Sequence, residues 1–161
     1  MACEQNVLKG KVLVLLVEND AGDGWEILGG VRTRGLTVDN PVEDITSSST
    51  TSDYSESDWT GFSQSTINVS GVADIRTGIV DPVTGLTIIG YDRLEELANT
   101  GNRCGNFWFY NTETQKGVRG YYNITSYNES GDTPGLVNFD STLQSKADIE
   151  RTDSSDTPVG P

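Results

Sequence analysis

A polar run at residues 41–62, between two segments with strand character, constrains the fold more than any other feature of the sequence. It contains five acidic residues and no Lys or Arg, and it is interrupted by Ile45, Tyr54, Trp59 and Phe62. A segment of this length without periodic structure is uncommon inside a compact domain and is usually functional or disordered. A linker that only spans a distance does not normally carry exposed aromatic residues. We therefore predict an arm over about residues 41–62 that orders when it docks on another surface, with those four residues as its contacts.

The composition favours a soluble β-rich domain. The chain has 161 residues, 34% of them hydrophobic and 18 of them glycine, which suits many short strands and turns better than a helical bundle. The net charge is −13 and the 11 basic residues are scattered. Sequence-independent binding to nucleic acid needs clustered cations, and an acidic surface repels DNA and anionic membranes. We expect no specific nucleic-acid binding and no membrane association.

The N-terminal residues and the apolar runs carry no targeting signal. Residues 1–6 lack the basic start and apolar stretch of a signal peptide, and the apolar run at residues 12–17 is too short to span a membrane. We expect the chain to fold in a cytosol.

No cofactor or metal site is predicted. Cys3 and Cys104 are the two cysteines and form no C-x-x-C motif. Two free thiols are favoured over a Cys3–Cys104 disulfide, which remains the alternative. The acidic turn at residues 19–24 fails the spacing of a calcium loop because Gly22 stands where a ligand is needed.

Catalytic machinery is missing as well. The sequence contains no histidine, so neither a Ser-His-Asp nor a Cys-His arrangement can form. A pair of carboxylates could serve a glycosidase, but nothing distinguishes two of the 24 acids from the rest. We predict a protein that is not an enzyme.

Periodicity and turn residues divide the chain into one domain and a tail. A helix is predicted at about residues 91–100, because Tyr91, Leu94, Leu97 and Ala98 form one apolar stripe. Strands are predicted at residues 11–17, 25–28, 31–39, 65–76, 105–111, 118–127 and 137–149, with an irregular connection from residue 77 to the helix. Gly71 stands at a phase shift that indicates a β-bulge or a close backbone approach. Residues 1–151 form the domain, and residues 152–161 are expected to be a flexible tail.

The predicted fold is mainly β (α+β). It is an antiparallel β-sandwich or barrel flanked by one α-helix, with the long polar loop between two early strands. The last strand has the clearest period of two and exceeds the usual strand length, which suggests that the sheet continues into a neighbouring subunit. The hairpin at residues 105–127 is dense in aromatic residues. The favoured interpretation of these aromatic residues is that they pack in the core and pair across the strands. The alternative is a carbohydrate-binding platform that uses Trp59, Trp108 and Tyr121.

The order of these features resembles the major tail tube protein of long-tailed, siphophage-type bacteriophages. An opening strand at residues 9–15 and a Gly-Gly, arginine and alternating-strand segment at residues 28–40 are similar to that family. The strand after the loop, at residues 61–71, and the segment at residues 135–145 are similar as well, with the helix between them. The long connection before the helix and the Ser/Thr-rich loop depart from the family pattern.

The resemblance implies a structural virion protein with no cofactor. Six copies would form a ring, stacked rings would form a tail tube for DNA passage into the host, and the long loop would reach the next ring. The implied partners are the chain itself, the tape measure, distal tail and terminator proteins, and double-stranded DNA in transit without specific binding. The implied location is the virion tail, assembled in the cytoplasm of the bacterial host. A tail-terminator or capsid decoration protein is a further alternative.

Overall fold

The computed structural model describes residues 13–40, 63–73, 78–90, 92–99, 101, 103–131 and 135–161, and describes the backbone alone for residues 42–44 and 57–59. This part of the chain is mainly β with one helix, as the sequence predicts. The elements, in chain order, are β1 Leu13–Glu18, β2 Trp25–Leu28, β3 Val31–Asp39, β4 Val42–Asp44, β5 Ser57–Trp59, β6 Gln64–Val72, β7 Ile79–Val80, β8 Thr87–Ile89, α1 Asp92–Asn99, β9 Cys104–Asn111, β10 Lys116–Gly131, β11 Val137–Ser145 and β12 Glu150–Thr152.

Ten of these strands form one continuous sheet. Their order is β3-β6-β11-β10-β9-β1-β2-β8-β7, and β12 pairs with β10 outside this path. Every pair is antiparallel except β2 with β8, which is parallel. Strands β4 and β5 form a separate two-stranded sheet.

The strands on the two sides of β10 in the sheet order form two halves of the sheet. Both halves line one main core, around which the sheet folds. Ile67 of β6 and Leu143 of β11 belong to the same buried cluster as Leu15 of β1 and Phe107 of β9, and each is at most 1% exposed. Leu94 of α1 completes this cluster. Since alternate residues of a strand point to one face, each strand contributes every second side chain to the core.

Strand β10 connects the two halves. It has 16 residues, and its first half pairs with β9 while its second half pairs with β11. The register with β11 shifts between Ile124 and Ser126, so one residue is extra on β10. A bulge of this kind bends a strand and increases its twist. The bend lets one strand belong to both layers around the core.

A buried polar contact joins β6, β10 and β11. The hydroxyl groups of Ser65 on β6 and Tyr122 on β10 are 2.8 Å apart, and the Ser65 amide donates to the Ser145 hydroxyl of β11 over 2.8 Å. Burial raises the pKa of the Tyr122 phenol, and its hydrogen bond with Ser65 opposes that shift. These bonds satisfy polar groups that would otherwise be costly to bury.

The close backbone approach predicted at Gly71 is confirmed, whereas the bulge lies on the facing strand β3, where Arg32 is the extra residue, and the alternation of β6 continues through Gly71. The register between β3 and β6 shifts between Val31 and Thr33, next to Gly71. A β-carbon on Gly71 would collide with the carbonyl oxygen of Gly30 and lie 2.9 Å from its carbonyl carbon. The bulge therefore brings the backbone of the β2–β3 turn against β6, where only glycine fits.

The predicted single strand over residues 137–149 is wrong. β11 ends at Ser145, and the next residues leave the ladder before β12 begins. Its alternation does hold, because Phe139, Leu143 and Ser145 are buried while Asp140 and Gln144 are exposed. The alternation does not continue past the end of the strand, because Ala147 is exposed, although Ile149 still packs against the main core.

The connection before the helix is more regular than predicted. Residues 79–89 contain the hairpin β7–β8, and β8 also pairs with β2. The Asp81 carboxylate holds the turn by accepting from the Thr84 amide over 2.8 Å and from the Thr84 hydroxyl over 2.7 Å. Strands this short carry no measurable period, and their pairing with a distant strand is a tertiary effect.

The predicted helix stripe is confirmed within the described residues. Leu94 is fully buried, and Leu97 and Ala98 pack against the main core. Tyr91 and Thr100 lie outside the described residues.

The C-terminal segment contacts the domain in the structure, while the flexibility expected for residues 152–161 stays a prediction. Thr152 is 1% exposed, and its hydroxyl accepts the indole N–H of Trp108 over 3.0 Å. The Trp25 amide donates to the Val159 carbonyl over 2.9 Å, and Gly160 lies against Leu86. The polar composition of this segment does not indicate that it packs against the domain, because the contacts are made by backbone groups and one hydroxyl.

Candidate assembly surfaces

The arm at residues 41–62 leaves the sheet from a fixed base. The β3–β6 ladder continues to the pair Asp39 and Gln64, and beyond it the Ser63 hydroxyl donates to the Asn40 side-chain oxygen over 2.6 Å. The two ends of the arm are therefore held side by side by adjacent strands.

Part of the arm has a structure that the sequence did not reveal. β4 and β5 pair in antiparallel register, with Val42 opposite Trp59. Among the described strands, these two pair only with each other. Three-residue strands give no usable period, and the only signal was an apolar residue at each end of the polar run. Of the predicted contact residues, Trp59 lies in β5, whereas Ile45, Tyr54 and Phe62 lie outside the described residues.

An apolar groove opens beside the arm base, and we call it the arm-base groove. Its volume is about 680 Å³, and its apolar lining consists of Leu13, Leu36, Val38, Phe109, Val118 and Ile149. Leu13, Leu36 and Ile149 are half-buried residues that pack against the main core from its edge. Val38 is 40% exposed. The groove is thus an end of the main core that the described part of the chain does not cover.

Two cations stand in the lining of the arm-base groove. Lys116 begins β10 and Arg151 lies in β12, and both are exposed. Neither forms a salt bridge with another described residue, whereas Arg93 pairs with Asp20 and Arg119 pairs with Glu150. In a chain with a net charge of −13, this places two cationic side chains beside an apolar surface, and the Asp153 carboxylate interacts electrostatically with one of them, Lys116.

The two ends of the main sheet are different surfaces. β3 forms one end and β7 the other. β7 exposes Ile79 by 46% and Val80 by 58%, and Val83 in the adjoining turn is 74% exposed. An uncovered strand edge is a template for pairing with another chain. The sheet therefore offers two unlike edges for contacts between copies.

A second hydrophobic cluster lies on the other face of β1 and β9. Trp108 is 1% exposed and makes edge-to-face contacts with Trp25, at 5.3 Å between ring centroids, and with Tyr110, at 5.2 Å. The Arg119 guanidinium lies 5.2 Å from the Trp108 ring centroid. Burial raises the pKa of the Tyr110 phenol. The carbohydrate platform on Trp108 is therefore wrong, because its ring faces are covered by protein.

Tyr121, the other described member of that platform, is 37% exposed and carries contacts on both sides. Its hydroxyl lies 2.7 Å from the Cys104 thiol, and the Lys146 ammonium lies 5.5 Å from its ring centroid. The hydrogen bond with Cys104 raises the pKa of the Tyr121 phenol. Cys104 is a free, buried thiol, in line with the favoured interpretation, and Cys3 lies outside the described residues.

Within the part of the chain that the structure describes, no three His, Cys, Asp or Glu side chains are grouped so as to hold a metal ion. The single described helix is too short and too polar to cross a membrane.

No protein-family model matches the sequence, and no curated protein sequence matches it either. The fold, however, is similar to that of chains in solved tail and virion structures. The tail of an empty gene transfer agent particle, refined with helical C6 symmetry, matches with a TM-score of 0.66 and 20% identity, over 91% of this chain and 99% of the other. The virion of a native gene transfer agent particle matches with a TM-score of 0.63 and 18% identity, over 91% and 99% of the two chains. The SPP1 tail tube matches with a TM-score of 0.65 and 14% identity, over 91% of this chain and 80% of the other.

Proposed function

We propose that this chain is a structural virion protein that assembles as stacked hexameric rings, forming the tube of a phage tail through which DNA passes into the host. The observation that carries the proposal is the fold shared over 91% of the chain with tail structures, one of them refined with C6 symmetry. The tail tube resemblance drawn from the residues agrees with this fold.

Ring formation fits the two ends of the sheet. A closed ring needs two different patches on each subunit, because every contact is head-to-tail. β3 and β7 provide unlike edges at opposite ends of the strand order. The exposed Ile79 and Val80 supply apolar surface at one of them. A monomer with such edges is prone to association, and an assembly uses them as joints.

Stacking fits the arm. Its acids and hydroxyl groups favour solubility in the free subunit, while Trp59 and the aromatic residues beyond the described range offer surface to bury on docking. We propose Ile45, Tyr54, Trp59 and Phe62 as the inter-ring contacts, since aromatic residues dominate interface energetics.

The charge suits the transit of DNA without binding. DNA is a polyanion, and a chain with a net charge of −13 and scattered basic residues offers few sites for release of its counterions. Low affinity is needed if the genome is to pass through quickly.

The proposed location follows from the proposed role in the phage tail. The protein would act in the virion tail, without enzymatic activity, after assembly in the cytoplasm of the bacterial host. Its proposed partners are further copies of itself and the tape measure, distal tail and terminator proteins.

Negative-stain electron microscopy of the purified protein, with light scattering across a concentration series, tests the proposal. The expected result is ring-shaped particles of hexamer mass and, at high concentration, tubes of constant diameter. Single rings that never extend would support a terminator or decoration protein instead. A protein that stays monomeric at every concentration, even with tail-initiating partners, would count against all of these assemblies.

A further inference from the structure

We propose that the arm-base groove is the receptor for the arm of a second copy of this chain. This inference rests on the proposed function and adds the surface on which the arm docks. It commits to one occupant: residues 45–59 of a subunit in the neighbouring ring.

The first support is the unfinished packing of the core at this end. Leu13, Leu36 and Ile149 contact the main core yet remain half-buried, and Val38 above them is 40% exposed. The groove volume of about 680 Å³ lies within the range of about 300–1,000 Å³ in which proteins bury ligands of substantial size. An apolar concavity of this size is suited to anchor side chains from a partner.

The second support is charge complementarity. Residues 45–59 carry three acids, Asp53, Glu56 and Asp58, and no basic residue, whereas the groove carries Lys116 and Arg151, which form no salt bridge with any other described residue. Opposite charges across an interface guide association and fix the register of the partners. The arm combines acids with Ile45 and Tyr54, which matches a groove that combines cations with apolar walls.

The third support concerns which copy supplies the arm. β4 and β5 pair with each other and, among the described strands, with no strand of the main sheet. The docking segment of the arm and the groove are different parts of one subunit, so docking between copies is head-to-tail. Head-to-tail contacts that do not close on themselves propagate as a filament. Each subunit would receive an arm beside the origin of its own arm, and the contact would repeat from ring to ring.

The test compares two charge-reversed double variants by microscopy and sedimentation. Lys116→Glu with Arg151→Glu reverses the cations of the groove, and Arg103→Glu with Lys146→Glu makes the same change in net charge at residues that do not line the groove. Circular dichroism confirms folding of both. We expect the sedimentable tube fraction to fall by about tenfold or more for the groove variant only, because like charges at an interface are strongly disfavoured. Adding Asp53→Lys and Glu56→Lys to the groove variant should restore tubes.

A mixing experiment separates docking between copies from docking within one. A variant lacking residues 47–57 keeps the groove but loses the arm, while the groove variant keeps the arm. Each alone should stop at single rings, and the mixture should form paired rings that extend no further. If the mixture gives only single rings, or if the groove variant forms tubes as the wild type does, the proposed receptor is wrong while the tail tube function stands. If the wild type forms neither rings nor tubes, the proposed function itself fails.

Discussion

The indole N–H of Trp108 donates to the hydroxyl oxygen of Thr152 over 3.0 Å, and both residues are 1% exposed. Trp108 lies at the centre of the second hydrophobic cluster, and Thr152 is the last residue of β12. The bond therefore fixes the point from which the C-terminal segment runs back over that cluster to meet β2. The covered aromatic face and the docked C-terminal segment depend on each other.

Replacing Thr152 with Val should destabilise the domain by about 1–3 kcal/mol, because the buried indole N–H of Trp108 loses its acceptor. Urea unfolding measures the change. Thr37→Val, at an exposed position of β3, is the matched control and should change the free energy of unfolding by less than about 0.5 kcal/mol. Equal stability of the two variants would show that the Trp108–Thr152 bond contributes nothing.

Replacing Gly71 with Ala should cost at least about 1–3 kcal/mol, because the new methyl group would overlap the Gly30 carbonyl and the backbone there cannot easily move. Gly35 lies on the neighbouring strand, and a β-carbon there meets nothing within 4 Å. Gly35→Ala should therefore be neutral or stabilise slightly. Thermal unfolding of the two variants checks the contrast, and similar melting temperatures would contradict the close approach at Gly71.

Truncating Leu94 to Ala should reduce the free energy of unfolding by about 2–5 kcal/mol. Leu94 is the one buried residue of α1 and is 0% exposed within the main core, so its removal leaves a cavity and detaches the helix. Chemical denaturation measures the loss. Glu95→Ala, on the partly exposed side of the same helix, should stay within about 0.5 kcal/mol of wild type. A small effect of Leu94→Ala would mean that the helix is not needed to close the core.

Acid should remove a small contribution from the Arg119–Glu150 pair. The hydrogen bond from Arg119 lowers the pKa of Glu150, so the folded state holds the carboxylate more strongly than the unfolded state does. The contribution is present above the pKa of an unfolded glutamate and is lost as the pH falls through the lower folded value. Because the Glu150 side chain is 61% exposed, we expect less than about 1 kcal/mol, decreasing with salt.

Unfolding free energies measured for wild type and Glu150→Gln from neutral to acidic pH check this expectation. The two curves should differ near neutrality and converge in acid. Glu113→Gln, in the exposed turn before β10, serves as the control and should follow the wild-type curve. Curves for Glu150→Gln and wild type that stay parallel down to strong acid would contradict a role for this ion pair.

Local patterns in the sequence predict much of the fold. β2 and β3 lie at their predicted residues, and the helix stripe through Leu94 packs as its spacing indicates. These features depend on periodicity and on turn residues, which act over a few positions. The mainly β class follows from the same signals together with the glycine content.

The errors share one physical cause, namely partners distant in the sequence. The burial of Trp108 depends on a segment more than forty residues later, so the aromatic pattern alone could not exclude an exposed platform. β8 is ordered by pairing with β2, and β7 by pairing with β8, although neither is long enough to show a period. The arm-base groove likewise combines residues of several strands, so no local pattern could reveal it.

Electron microscopy of the wild-type protein beside a variant lacking residues 47–57 tests most directly whether this chain builds a tube through its arm. The fixed arm base, with Asn40 and Ser63 hydrogen-bonded, predicts that the variant keeps its fold by circular dichroism. We predict extended tubes from the wild type and only single rings from the variant. Tubes of normal length from the variant, or its unfolding, would contradict the role of the arm as the connection between rings.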